Sequence, residues 1–205
     1  MKKQLRALGD FWREEYGRYV GMTAIAFLVL VVLAYIAGRL FPDIPVTVIG
    51  AFNEVVADSG IVQEDGSFDV LALFGNNLRA MVLSILYGFI PFLYLPALSM
   101  GVNAAIIGML AAMIDGQWLL LAAGILPHGI FELPALFLSL AGGDLNALLG
   151  LCRNINVYIR KNEKGIMKPL LLNILRVVVL LVVPLLVLAA VAETYVTPAL
   201  MQLFM

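Results

Sequence analysis

This sequence has little charge. Asp, Glu, Lys and Arg make up only 13% of its 205 residues, against 62% hydrophobic. Soluble domains carry about a quarter charged residues. A mean hydropathy of +0.99 is expected of a chain that lives in lipid. The formal net charge of −1 provides no basic field for nucleic acid. One cysteine, Cys152, excludes an internal disulfide and a cysteine-built zinc site. With one histidine there is no His-Glu-x-x-His pair, and no Gly-x-Ser-x-Gly elbow or phosphate-cradling loop occurs. No enzyme activity and no cofactor are therefore expected. The opening "MKKQLRALGDFWREEYGRY" lacks the small-residue cleavage site of a removed signal.

What is abundant is the long apolar run. Five such runs, 19–40, 70–95, 97–114, 118–141 and 169–192, approach the ~20 residues that a helix needs to cross a bilayer. The expected fold is all-α: a single polytopic transmembrane bundle of about five spans. Pro127 and Pro134 fall inside the fourth run. Each lacks an amide donor and disfavours helix in the residue before it, so a broken fourth span is expected. In 4–19, Leu5, Leu8, Trp12, Tyr16 and Tyr19 recur near helical spacing among charges. Residues 1–18 are therefore read as a cytoplasmic or interfacial helix. Residues 144–160 read as a connector helix ending in basic residues, and no internal repeat is evident.

The few charges orient the spans. Lys2, Lys3, Arg6, Arg13 and Arg18 precede the first, while Arg153, Arg160, Lys161, Lys164 and Lys168 lie between the fourth and fifth. The 41–69 loop holds Asp43, Glu54, Asp58, Glu64, Asp65 and Asp69 without one Lys or Arg. The positive-inside rule then places the N-terminus and 142–168 in the cytoplasm. It leaves the 41–69 loop, with a short helix, and the C-terminus outside an inner membrane.

A second pattern lies within the spans. Counting about 1.5 Å per helical residue from the outer boundary puts Asn77, Arg79, Asn103, His128 and Glu132 all roughly 12–22 Å deep. Asn76 adjoins Asn77, and His128 and Glu132 are one turn apart in "ILPHGIFELPA". A lone charge at mid-bilayer costs at least ~2.5 kcal/mol. These groups are therefore expected to meet, with Arg79 paired to Glu132 or Glu132 protonated. Ala104, Gly108 and Ala112 form a small-residue ridge that permits close helix approach.

Three readings of this cluster stay open. It can be structural glue between helices. It can be a transport or flippase-like site, since ionisable groups at this depth commonly mark a permeation path. An intramembrane metalloenzyme is weaker, because no second ligand pair accompanies His128 and Glu132.

The strings "FGNNLRA", "LYGFIP", "NAAIIGML" and "LPHGIFELPA" occur in that order over about residues 70–145. Together with the five-span layout, they resemble the stage II sporulation protein M family of integral membrane proteins. Asn103 is followed here by Ala104, where the family pattern has glycine. In spore formers the family's sporulation member looks like the membrane anchor of an engulfment machine, working with two partners that degrade septal peptidoglycan. The resemblance carries over no catalytic residue. It implies that Asn76, Asn77, Asn103, His128 and Glu132 form the shared site or core. The expectation is thus a membrane scaffold or partner-binding subunit tied to envelope remodelling. Its partners would be the lipid bilayer, further copies of itself and wall-remodelling proteins. The alternative is a transporter that uses the polar cluster.

Overall fold

The computed structural model describes residues 2–63, 67–87, 95–114, 116–145 and 167–204. The connector expected over 144–160 therefore falls almost wholly outside the described residues. The chain is a helical bundle. Helices α1 (Lys2–Phe11) and α2 (Gly17–Leu40) are joined by a π turn, Trp12–Tyr16. Phe11 and Tyr16 keep right-handed helical dihedrals, so the backbone stays helical from 2 to 40. At 1.5 Å per residue that is about 57 Å of helix.

The segment expected as a cytoplasmic or interfacial helix is thus continuous with the first span and packs on the protein. Leu8, Phe11 and Tyr16 are buried in the same core as Phe27 of α2 and Leu136 and Leu140 further along the chain. The Phe11 and Tyr16 rings lie 4.8 Å apart, and the Tyr16 hydroxyl donates to the Leu138 carbonyl. Of the apolar stripe, Leu8 and Tyr16 are covered by the protein itself, while Leu5 and Trp12 stay exposed.

Helix α3 (Asp43–Asp58) is the short helix expected in the 41–69 loop. Gly60, at φ +70°, lets the chain reverse beyond it. A single bridge, Val62 to Phe68, then leads into α4 (Val70–Tyr87). Asp69 caps α4 by accepting from the amides of Leu71 and Ala72 at 2.8 and 2.9 Å. Helices α5 (Leu95–Met113) and α6 (Trp118–Leu145) follow. The last stretch runs through α7 (Met167–Val177), a π turn Val178–Val182, α8 (Val183–Val191), a second π turn Ala192–Val196 and α9 (Thr197–Met201).

Three stretches are long and apolar enough to span a bilayer: Gly17–Leu40, Trp118–Ala141 and Pro169–Met201. Two shorter ones, Val70–Leu86 and Ala97–Met113, complete the five expected. At about 26 Å each they fall just short of a ~30 Å hydrocarbon core. The chain is a multi-pass membrane protein.

The fourth span is not broken. Pro127 and Pro134 both lie within one 28-residue helix. Each removes an amide and leaves a carbonyl one turn back without its helical donor. Dense packing over the second half of α6 outweighs that loss: Ala135, Leu136, Ser139, Leu140 and Ala141 are buried. The C-terminal stretch treats its prolines differently. Pro184 and Pro198 each come two residues after a π turn, whose wider path eases the clash between the ring and the carbonyl behind it.

The small-residue ridge packs α5 against α2. A Cβ on Gly108 would lie 2.5 Å from the Val31 carbonyl oxygen and 2.6 Å from Ala34 Cβ. Gly38 of α2 approaches Ala112 equally closely. Arg39 donates to the Ala112 carbonyl at 3.3 Å, placing a cation at the C-terminal end of α5.

Candidate functional site

The C-terminal stretch runs antiparallel to α6 and meets it turn by turn. A Cβ on Gly124 would lie 3.6 Å from Met201 Sδ. One turn further along α6, His128 meets Thr197 and Glu193. Glu193, Thr197 and Met201 are four residues apart, so they share one face of their helix. Glu193 sits inside the second π turn, the kind of local widening that re-aims side chains at functional positions.

His128 Nδ1 and the Glu193 carboxylate form an ion pair, with the imidazole charged when protonated. Thr197 donates its hydroxyl to the same Glu193 oxygen at 3.2 Å and lies 3.5 Å from His128 Nδ1. The two ion-pair side chains are only about a fifth exposed, at 20% and 19%. Glu132, one turn along α6 from His128, interacts electrostatically with both His128 and Glu193. Glu132 is itself half-buried. It makes no hydrogen bond among the described residues. A second polar contact lies between α4 and α5, where the Ser84 and Ser99 hydroxyls are 3.5 Å apart. Asn103 donates to the Ser99 carbonyl of its own helix at 2.9 Å.

The structure thus divides the expected polar layer. His128 and Glu132 lie together, and Asn103 belongs with the serines. Asn77 lies on the inward face of α4, one and two turns before Met81 and Ser84. Asn76 and Arg79 are exposed. The expected pairing of Arg79 with Glu132 is absent: Arg79 forms no ion pair or hydrogen bond among the described residues and is not among the charges acting on Glu132. The reason is rotational. Met81, Ser84 and Ile85 fix which face of α4 turns inward, and at 100° per residue Arg79 points away from it.

Glu193 escaped the sequence reading. It stands one residue beyond the fifth apolar run, where a charge looks like the end of a span. The available signal was its i, i+4, i+8 register with Thr197 and Met201. Among the described residues, no group of three His, Cys, Asp or Glu side chains is arranged to hold a metal ion.

A family model described as "Stage II sporulation protein M" matches residues 23–198. That range takes in α6 and the C-terminal stretch through Thr197. An uncharacterized protein of Methanocaldococcus jannaschii is 26% identical over 167 residues, covering 76% of this chain and 75% of the relative. No solved structure matches the chain.

Proposed function

The chain belongs to the stage II sporulation protein M family, and from that premise we propose that it is a non-catalytic membrane scaffold: a subunit that binds partners, including further copies of itself, in remodelling the cell envelope. The observation that carries this reading is Arg79. It lies near the middle of α4, about 13 Å from that helix's first residue, and faces out of the protomer. A guanidinium facing hydrocarbon at such a depth costs at least ~2.5 kcal/mol, so a neighbouring protein surface is the natural cover. Asn76, one turn away, adds a second exposed hydrogen-bonding group, and Gly75 beside it has nothing within 4 Å of a built Cβ. Such a polar notch with a small residue suits close helix–helix contact in lipid. The His128–Glu193 pair is turned inward and serves the protomer's own assembly.

The test is crosslinking in native membranes through a cysteine at Asn76, with Cys152 replaced by serine. The scaffold reading expects species heavier than the monomer, lost on Arg79→Leu while the protomer's thermal stability is kept. Monomers alone at every crosslinker length would overturn it.

A transporter is the second reading. It is favoured by Glu132, an ionisable group beside the ion pair with no hydrogen bond of its own. Ion or lipid flux in reconstituted vesicles that collapses on Glu132→Gln would establish it over the scaffold.

A further inference from the structure

Charge balance inside the α6–C-terminal interface leads beyond the scaffold reading and does not depend on it. With His128 protonated and Glu132 and Glu193 both ionised, the cluster carries one net negative charge. Compensation would have to come from the elements packed on α6. The spanning part of α2 places Arg18 and Arg39 near its two ends, and Arg39 is committed to Ala112. Helix α4 has only Arg79, which points outward, and α5 has no charged residue. In the C-terminal stretch, Arg176 donates to Gln4 at 2.5 Å and to Asn173, far from the site. Tyr19 and Tyr35 of α2 and Tyr195 of the C-terminal stretch are phenols on these elements. None of these side chains is among the charges acting on His128 or Glu132.

A second observation is independent of the count. Glu193 has two partners, His128 and Thr197, whereas the half-buried Glu132 has no hydrogen-bond donor among the described residues. An ionised carboxylate accepts several hydrogen bonds, and burying one without donors is costly. A carboxylic acid needs fewer.

We propose that His128, Glu132 and Glu193 form an intramembrane proton-binding site, which holds one exchangeable proton on Glu132 beside the His128–Glu193 ion pair. With that proton in place the three groups sum to zero charge. Its loss puts a net charge into the contact between α6 and the C-terminal helix, where Thr197 and the π turn are the adjoining structure.

The probe is dicyclohexylcarbodiimide, applied to the full chain in native membranes in sodium-free buffer. It reacts with a protonated carboxyl in an apolar setting. The acid's proton and oxygen add across one C=N bond, and acyl transfer to nitrogen leaves a stable N-acylurea that peptide mass spectrometry locates. Expected is modification at Glu132, falling roughly tenfold per pH unit once the site deprotonates. Modification should be abolished by Glu132→Gln and unaffected by sodium. Loss of labelling on adding sodium would overturn the assignment in favour of a metal-cation site. Absence of labelling at Glu132 from about pH 5 to pH 9 would overturn it outright. Glu132→Gln, which mimics the protonated side chain, should keep the wild-type thermal transition and flatten its change with pH over the labelling range. A Glu132→Gln protein whose transition shifts with pH as the wild type's does would also overturn the proposal. Crosslinking at Asn76 is indifferent to every one of these results.

Discussion

Two helix contacts in this molecule solve the same problem by opposite means. Where α5 meets α2, the facing residues are Gly108, Ala112, Ala34 and Gly38, and the backbones nearly touch. Where α6 meets the C-terminal stretch, His128, Glu132, Glu193 and Thr197 share the seam. Lipid is as apolar as leucine, so burying apolar surface gives little reason for two helices to associate. The first contact gains from dispersion at short range, which depends on the absence of side chains. The second gains from charge and hydrogen bonding, which depend on their presence. One is sensitive to added volume, and the other to the loss of a partner.

That contrast is open to test by thermal unfolding in detergent, where about 1 kcal/mol moves the midpoint of a chain this size by about 2–4 °C. The largest effect is expected from Glu193→Leu, which leaves His128 without its counter-ion. Breaking such a pair costs about 3–5 kcal/mol when fully buried, and the partial exposure here places it near the lower figure. Combining it with His128→Leu should recover most of the loss, because removing both charges restores balance. If the double variant is less stable than either single one, the seam is not held by charge. Next comes Gly108→Ala, whose new methyl meets the Val31 carbonyl at 2.5 Å; overpacking of this kind costs about 1–3 kcal/mol. A neutral result would show that α2 and α5 have slack. Thr197→Val keeps the shape but loses the hydrogen bond to Glu193, for about 1.5 kcal/mol. The smallest effect is expected from Gly75→Ala. Nothing lies within 4 Å of its built Cβ, so stability should hold or rise by about 0.5 kcal/mol.

The same two contacts show what the sequence could and could not reveal. The small-residue ridge on α5 was legible because four-residue spacing on a helix defines a face without reference to a partner. What it could not disclose was that α2 would be that partner. His128 and Glu132 were legible because ionisable groups stand out in an apolar run. Glu193 was hidden because it sits at the end of such a run, where charges are ordinary. The break expected at Pro127 and Pro134 failed because local preference yields to packing, and the second half of α6 is buried on several sides. Arg79 was placed in the cluster by depth alone. Depth along a helix says nothing about direction around it, and its neighbours Met81 and Ser84 set that direction. In 4–19 the periodicity was real, but one amphipathic stripe serves equally well for headgroups or for a protein core.

The unbroken run from α1 through α2 makes a lever. Its roughly 57 Å of helix is nearly twice the ~30 Å thickness of hydrocarbon, so it forms an arm longer than one crossing needs. Tyr16, locked to the Leu138 carbonyl, is the pivot between that arm and α6. Whatever grips the N-terminal turns therefore holds a handle on the helix that carries His128.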